Sequence, residues 1–111
     1  MFSKHLRLAK NKDVKAVFAR GRTFFSPLMN VKFVAASQSR FTVVVSTKVS
    51  KKAVARNRLK RIIREFLRKN LGSLAGGDYA VILKPKATSV AEAVMIESLR
   101  GLLKANWVLK I

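Results

Sequence analysis

Between Lys48 and Lys69 the sequence gathers ten basic residues and a single acid, Glu65. Arg56, Lys60, Arg64 and Arg68 recur every fourth residue, joined by Asn57 and Arg61. At about 100° per residue, a helix turns that spacing into one cationic ridge. Leu59, Ile62, Ile63, Phe66 and Leu67 fall instead on a separate apolar stripe, with Arg58 near its opposite flank. A merely solvated helix face mixes charge signs, because like charges four residues apart repel. A ridge of one sign therefore asks for an anionic ligand. Guanidinium groups, which outnumber ammonium groups from Ala53 to Lys69, grip phosphates and base edges with paired hydrogen bonds. Asn57 adds an amide that both donates and accepts. Nucleic acid is the expected partner. RNA is favoured over duplex DNA, since no helix-turn-helix, zinc or zipper pattern accompanies the helix.

Catalytic chemistry finds no comparable grouping. His5 is the sole histidine, so neither a histidine-based triad nor a two-histidine metal site can be built, and an exposed polar role is expected for it. Asp13, Glu65, Asp78, Glu92 and Glu97 are scattered, and several have structural uses. Asp13 suits a helix first turn, Glu92 a capping box, and Glu65 the company of arginines. A two-metal nuclease needs convergent carboxylates, and the spacing suggests none. Gly76-Gly77 reads as a loop. No catalytic residue and no metal site is assigned. Phe24 and Phe25 are adjacent, so a strand would turn one inward and one outward, with core packing the expected use of either.

These residues must be positioned by one domain, since 111 residues suffice for one core and not two. Half of the residues are apolar, which argues against disorder despite a net charge of +19. That charge speaks for a polyanionic partner. The absence of cysteine rules out disulfides and thiolate metal sites, and suits a cytoplasmic location. No apolar run approaches a membrane span, and no membrane or small-molecule partner is expected. Residues 1–10 read as a basic, irregular arm, and 11–111 as a single RNA-binding domain. Asn11 is expected to cap a short helix carrying Val14, Val17 and Phe18, closed by Gly21. Strands are expected over Leu28–Ala35, Phe41–Ser46 and Asp78–Lys84, with a shorter one at Thr23–Phe25. The cationic helix spans Ala53 to about Asn70. A last helix opens on a capping box at Ser89 and Glu92 and runs to about Lys104. Trp107 to Ile111 is an apolar tail, pinned to the core by the indole. The fold class is α+β: a mixed sheet of about four strands packed with three helices, in the order α-β-β-β-α-β-α.

The run Lys52-Ala53-Val54-Ala55-Arg56-Asn57-Arg58-Leu59-Lys60-Arg61-Ile62-Ile63-Arg64-Glu65 resembles the signature of the bacterial ribonuclease P protein family. Its flanks are similar too: Asn11-Lys12-Asp13, Val17-Phe18 and Arg20-Gly21 in the first helix, Ser26-Pro27-Leu28 before a long strand, and Asp78-Tyr79 to Lys84 in the last. The resemblance runs from Leu8 to Lys104. It implies a left-handed crossover through the signature helix, against the general preference for right-handed ones. It also implies a function, as the subunit that assists a catalytic RNA in removing the 5′ leader of precursor tRNA. The RNA, with its magnesium ions, would carry the chemistry, and the protein itself would bind no cofactor. Lys52, Arg56, Asn57, Arg58, Lys60, Arg61, Arg64 and Arg68 would contact the RNA subunit. A cleft marked by Val14, Phe18 and Lys32 would hold the leader of precursor tRNA. Val14 and Lys32 stand where the family tends to place aromatics, and Ser50-Lys51-Lys52 replaces a glycine-containing turn. The rival reading is a structural RNA-binding module such as a ribosomal protein, which would co-purify with ribosomes.

Overall fold

The computed structural model describes residues 6–110; His5 and Ile111 lie outside the described residues. Strands β1 (Arg22–Phe25), β2 (Met29–Ala35), β3 (Arg40–Val44) and β4 (Gly77–Leu83) form one mixed sheet in the order β1-β2-β4-β3. Antiparallel pairing joins β1 to β2 and β2 to β4, while β3 lies parallel to β4. Helices α1 (Asn11–Arg20), α2 (Ala53–Lys69) and α3 (Glu92–Ala105) complete the α+β architecture. The parallel pair needs a crossover connection, and α2 supplies it.

Alternation in the strands decides which helix covers which face. Met29, Val31 and Phe33 of β2 point into the main core, as do Tyr79, Val81 and Leu83 of β4 and Phe41 and Val43 of β3. Ile63, Phe66 and Leu67 of α2 and Met95, Leu99 and Leu103 of α3 close that core. On the reverse face Ala80 is buried beneath α1, packed with Leu8 and Val17 and flanked by Val14 and Val34. A methyl side chain at Ala80 lets the helix sit close to the sheet. Both faces of β4 are thereby covered, which explains its nearly unbroken burial.

Several helix ends differ from expectation. Asn11 is the first helical residue of α1 and makes no side-chain cap; Lys10 precedes it. Gly21 does close α1, but in an extended conformation at φ −68°. Its glycine is required for space, since a Cβ would lie 2.4 Å from the Val17 carbonyl oxygen. The Ser89–Glu92 capping box does not form. Pro85 starts a 3-10 turn through Ser89, so α3 begins two residues later than that box requires, behind Ala91. Glu92 instead pairs with Arg58. Gly77 belongs to β4 and not to the preceding loop.

Two further segments depart from the sequence reading. Leu6 and Leu8 are buried, and Arg7 forms a parallel bridge to Phe41 at the edge of β3. The C-terminal tail is pinned by Val108 and Leu109, not by the indole, for Trp107 is 88% exposed. Backbone bonds from Ala75 N–H to the Val108 carbonyl (2.8 Å) and from Lys110 N–H to the Ser73 carbonyl (2.7 Å) hold it.

Candidate nucleic-acid interface

The apolar stripe of α2 docks it on the sheet, with Leu59 and Ile62 packed at the margin of the core. Docking turns the ridge outward, and Arg61 also lines the groove that α2 forms with Glu92, Ile96 and Arg100 of α3. All five acids of the chain are committed to arginines, and this decides which cations are left over. Arg40 holds Asp13 and Asp78, Arg58 holds Glu92, Arg68 holds Glu65, and Arg100 holds Glu97. Among the described residues no ion pair engages Lys52, Arg56, Lys60, Arg61 or Arg64, and Asn57 is exposed between them. Arg56 Nη1 donates to the Ser50 carbonyl at 2.9 Å, which fixes its guanidinium against the turn before α2. Arg58 and Arg68 stand apart, because a ligand would first have to compete with a carboxylate. The Arg68 hydrogen bond, at 2.5 Å, also holds the Glu65 carboxyl below its ordinary range.

The second group of candidates lies on the reverse face, where α1 leaves part of the sheet uncovered. Val14 is half-buried beside Val17 and Ala80, and so belongs to the packing of α1. Phe18 is 41% exposed, with Lys32 Nζ 5.8 Å from its ring centroid. Lys32 is also held by Thr23, donating to Oγ1 at 2.9 Å. Phe18 and Lys32 thus meet as a cation–π pair. Register places Phe25 opposite Asn30 on this same face, and Phe25 is 71% exposed. The expectation of core packing holds for Phe24 and fails for Phe25. Nothing in the Phe24-Phe25 dipeptide tells which ring faces inward; the β1–β2 register decides it. Asn30 Oδ1 is buried without a hydrogen-bond partner among the described residues. This open face therefore carries two aromatics, a lysine and an unsatisfied amide oxygen.

Arg40 anchors α1 to the sheet beside this face. Nε and Nη2 donate to the two carboxylate oxygens of Asp78 at 2.9 and 2.8 Å, and Nη1 reaches Asp13 of α1 at 3.0 Å. One guanidinium so ties α1 to β3 and β4. The fork geometry suits arginine and could not be reproduced by lysine. The hydrogen bonds to Asp78 and Asp13 raise the Arg40 pKa further above its ordinary value. Among the described residues no three His, Cys, Asp or Glu side chains come together.

A cationic helix bridging the parallel strands of a four-stranded mixed sheet defines a small α+β protein with two open polar faces. The chain belongs to the ribonuclease P family, whose model matches residues 2–106. It is 39% identical over 104 residues to the ribonuclease P protein component of an Exiguobacterium species, covering 91% of this chain and 90% of that one. The ribonuclease P protein component of Xylella fastidiosa strain 9a5c is 33% identical, over 93% of this chain and 77% of its own. The Staphylococcus aureus RNase P protein superposes with a TM-score of 0.88 at 26% identity, covering 95% of this chain and 98% of that one. For the Thermotoga maritima protein the TM-score is 0.80 at 33% identity, over 89% and 96%. Membership places the chain in the ribonuclease P complex and in the 5′ maturation of tRNA.

Proposed function

We propose that the chain acts within that complex by binding the catalytic RNA along the α2 ridge and the 5′ leader of precursor tRNA in the cleft beneath α1. Magnesium reaches the reaction through the RNA subunit, and hydrolysis is the RNA's work. The observation that carries this reading is the separation of charges on α2. Every carboxylate is already paired with an arginine, while Lys52, Arg56, Lys60, Arg61 and Arg64 keep their charge for an external anion. Among the described residues the same pairing leaves no Asp or Glu side chain without an arginine partner. Arg58 and Arg68 join the interface only if RNA displaces Glu92 and Glu65.

The test is reconstitution. Added to the catalytic RNA, the purified protein is expected to restore precursor tRNA cleavage at low magnesium, where the RNA alone is slow. The protein alone is expected to cleave nothing at any magnesium concentration. Specific cleavage at the mature 5′ end by RNA-free protein would overturn the assignment of chemistry to the RNA.

A second expected result concerns the cleft. Stacking of an unpaired base on an aromatic ring is worth about 1–3 kcal/mol, whereas a lysine offers mainly screened attraction to phosphate. Phe18→Ala should therefore lower the affinity of the assembled particle for precursor tRNA about tenfold while sparing mature tRNA. Lys32→Phe should make the preference for precursor less sensitive to salt. A precursor-to-mature affinity ratio unchanged in both variants across a salt series would place the leader elsewhere.

A further inference from the structure

Helix α3 ends in an uncommon way. Asn106 flanks its last turn at φ −104°, and Trp107 follows at φ 65°. Trp107 N–H donates to the Lys104 carbonyl and Val108 N–H to the Leu103 carbonyl, both at 3.1 Å. This is the Schellman arrangement, and Leu103 and Val108, at the positions that bracket it, are both buried. The left-handed position of that motif ordinarily holds glycine or asparagine, because a Cβ there meets the following carbonyl. Among the described non-glycine residues only Trp107 has a positive φ. The largest side chain in the chain thus occupies the position that least tolerates a side chain, and it returns nothing to the core, being 88% exposed. Strain of this kind persists where function retains it.

The surroundings say what such a ring would meet. Lys104 and Lys110, three residues to either side in the sequence, are both exposed, and no Asp or Glu lies between them. The Lys110 N–H bond to the Ser73 carbonyl sets the tail beside residues 71–75, just past the end of α2. That stretch, from Lys69 to Gly77, also lacks acids. Trp107 therefore sits at the end of α3, beside the segment that follows α2, between stretches that carry lysines and no acidic side chain. A flat exposed indole framed by ammonium groups matches an unpaired base with its flanking phosphates.

We propose that Trp107 is a stacking platform for an unpaired nucleotide of the RNA subunit, with Lys104 and Lys110 on the adjoining phosphates. The inference rests on the reading that α2 binds that RNA, and extends the interface past the end of the helix. Trp107 is the only tryptophan in the chain, so its emission reports on this site alone. Titrating the full-length protein with the catalytic RNA should quench that emission by more than half, in step with binding followed independently by filter retention. Trp107→Gly should lower the affinity for the RNA subunit about tenfold. The same substitution should raise the thermal midpoint by about 4 °C, because glycine relieves the strained φ. Trp107→Phe should retain most of the affinity. Saturating RNA binding without quenching, with Trp107→Gly binding as tightly as the parent, would overturn the platform and leave the α2 reading intact. Failure of the RNA to bind at all would overturn both. A concentration-dependent blue shift of the emission in the absence of RNA would assign the indole to contact between copies of the chain, and would likewise overturn the proposal.

Discussion

Replacing Arg56, Lys60 and Arg64 together with alanine is expected to weaken binding of the catalytic RNA roughly a thousandfold, with little change in folding stability. Each hydrogen bond to a charged group contributes on the order of 1.5 kcal/mol, and three lost contacts reach about 4 kcal/mol. The diagnostic quantity is the salt dependence. Each phosphate contact releases counterions, so losing three should flatten the plot of log affinity against log salt by about 2–2.7. Arg58→Ala and Arg68→Ala should each cost much less, since Glu92 and Glu65 already hold these groups. Leu59→Ala provides the opposite control: it packs against the core, so stability should fall while the salt slope stays put. A triple variant with an unchanged slope would reduce the ridge to a solvated surface.

The limits of the sequence appear in the same helix. Its extent, its buried stripe and its cationic flank were all legible, because a period of 3.6 residues separates apolar from charged positions over seventeen residues. The pairing of Arg58 with Glu92 was not, for it joins two helices and depends on how α3 lies beside α2. The strands were readable from runs of Val and Phe, and the order of elements followed. Which side each strand shows to α1 was hidden, and with it the exposure of Phe25. The ends of α1 and α3 misled for a local reason. Asn11 and Ser89 are good capping residues, but tertiary packing and the turn set by Pro85 placed the first helical turns elsewhere. Trp107 misled for a general one. A large aromatic near a chain end is usually anchored in the core, and only the backbone geometry shows Val108 and Leu109 doing the anchoring.

Tyr79→Ala is expected to be the most destabilising single change in the chain, at about 3–5 kcal/mol. Against a typical stability of about 5–15 kcal/mol this is a large fraction, and a thermal midpoint many degrees lower should follow. The reason lies in its position at the centre of β4, fully buried, with Phe33 on one side and Phe41 on the other at ring-centroid distances of 4.8 and 5.1 Å. Phe24 extends the group, stacked 6.4 Å from Phe33. Its hydroxyl donates to the Ala75 carbonyl at 2.5 Å, and the Ala75 N–H in turn bonds to the Val108 carbonyl. One side chain thus joins the sheet, the segment after α2 and the C-terminal tail. Tyr79→Phe keeps the rings and removes only the hydroxyl, so a loss of about 1 kcal/mol is expected. Burial raises the pKa of the phenol above its ordinary value of about 10. The folded state therefore favours the protonated form. Its contribution is complete below about pH 10 and is lost as the pH rises further and the unfolded chain ionises. The stability difference between parent and Tyr79→Phe should accordingly be constant from neutral pH to about pH 9, then shrink in alkali. Denaturant titrations of both proteins across that range give the measurement. A difference independent of pH to the alkaline limit would mean that the hydroxyl ionises as freely folded as unfolded, which burial at the centre of β4 forbids.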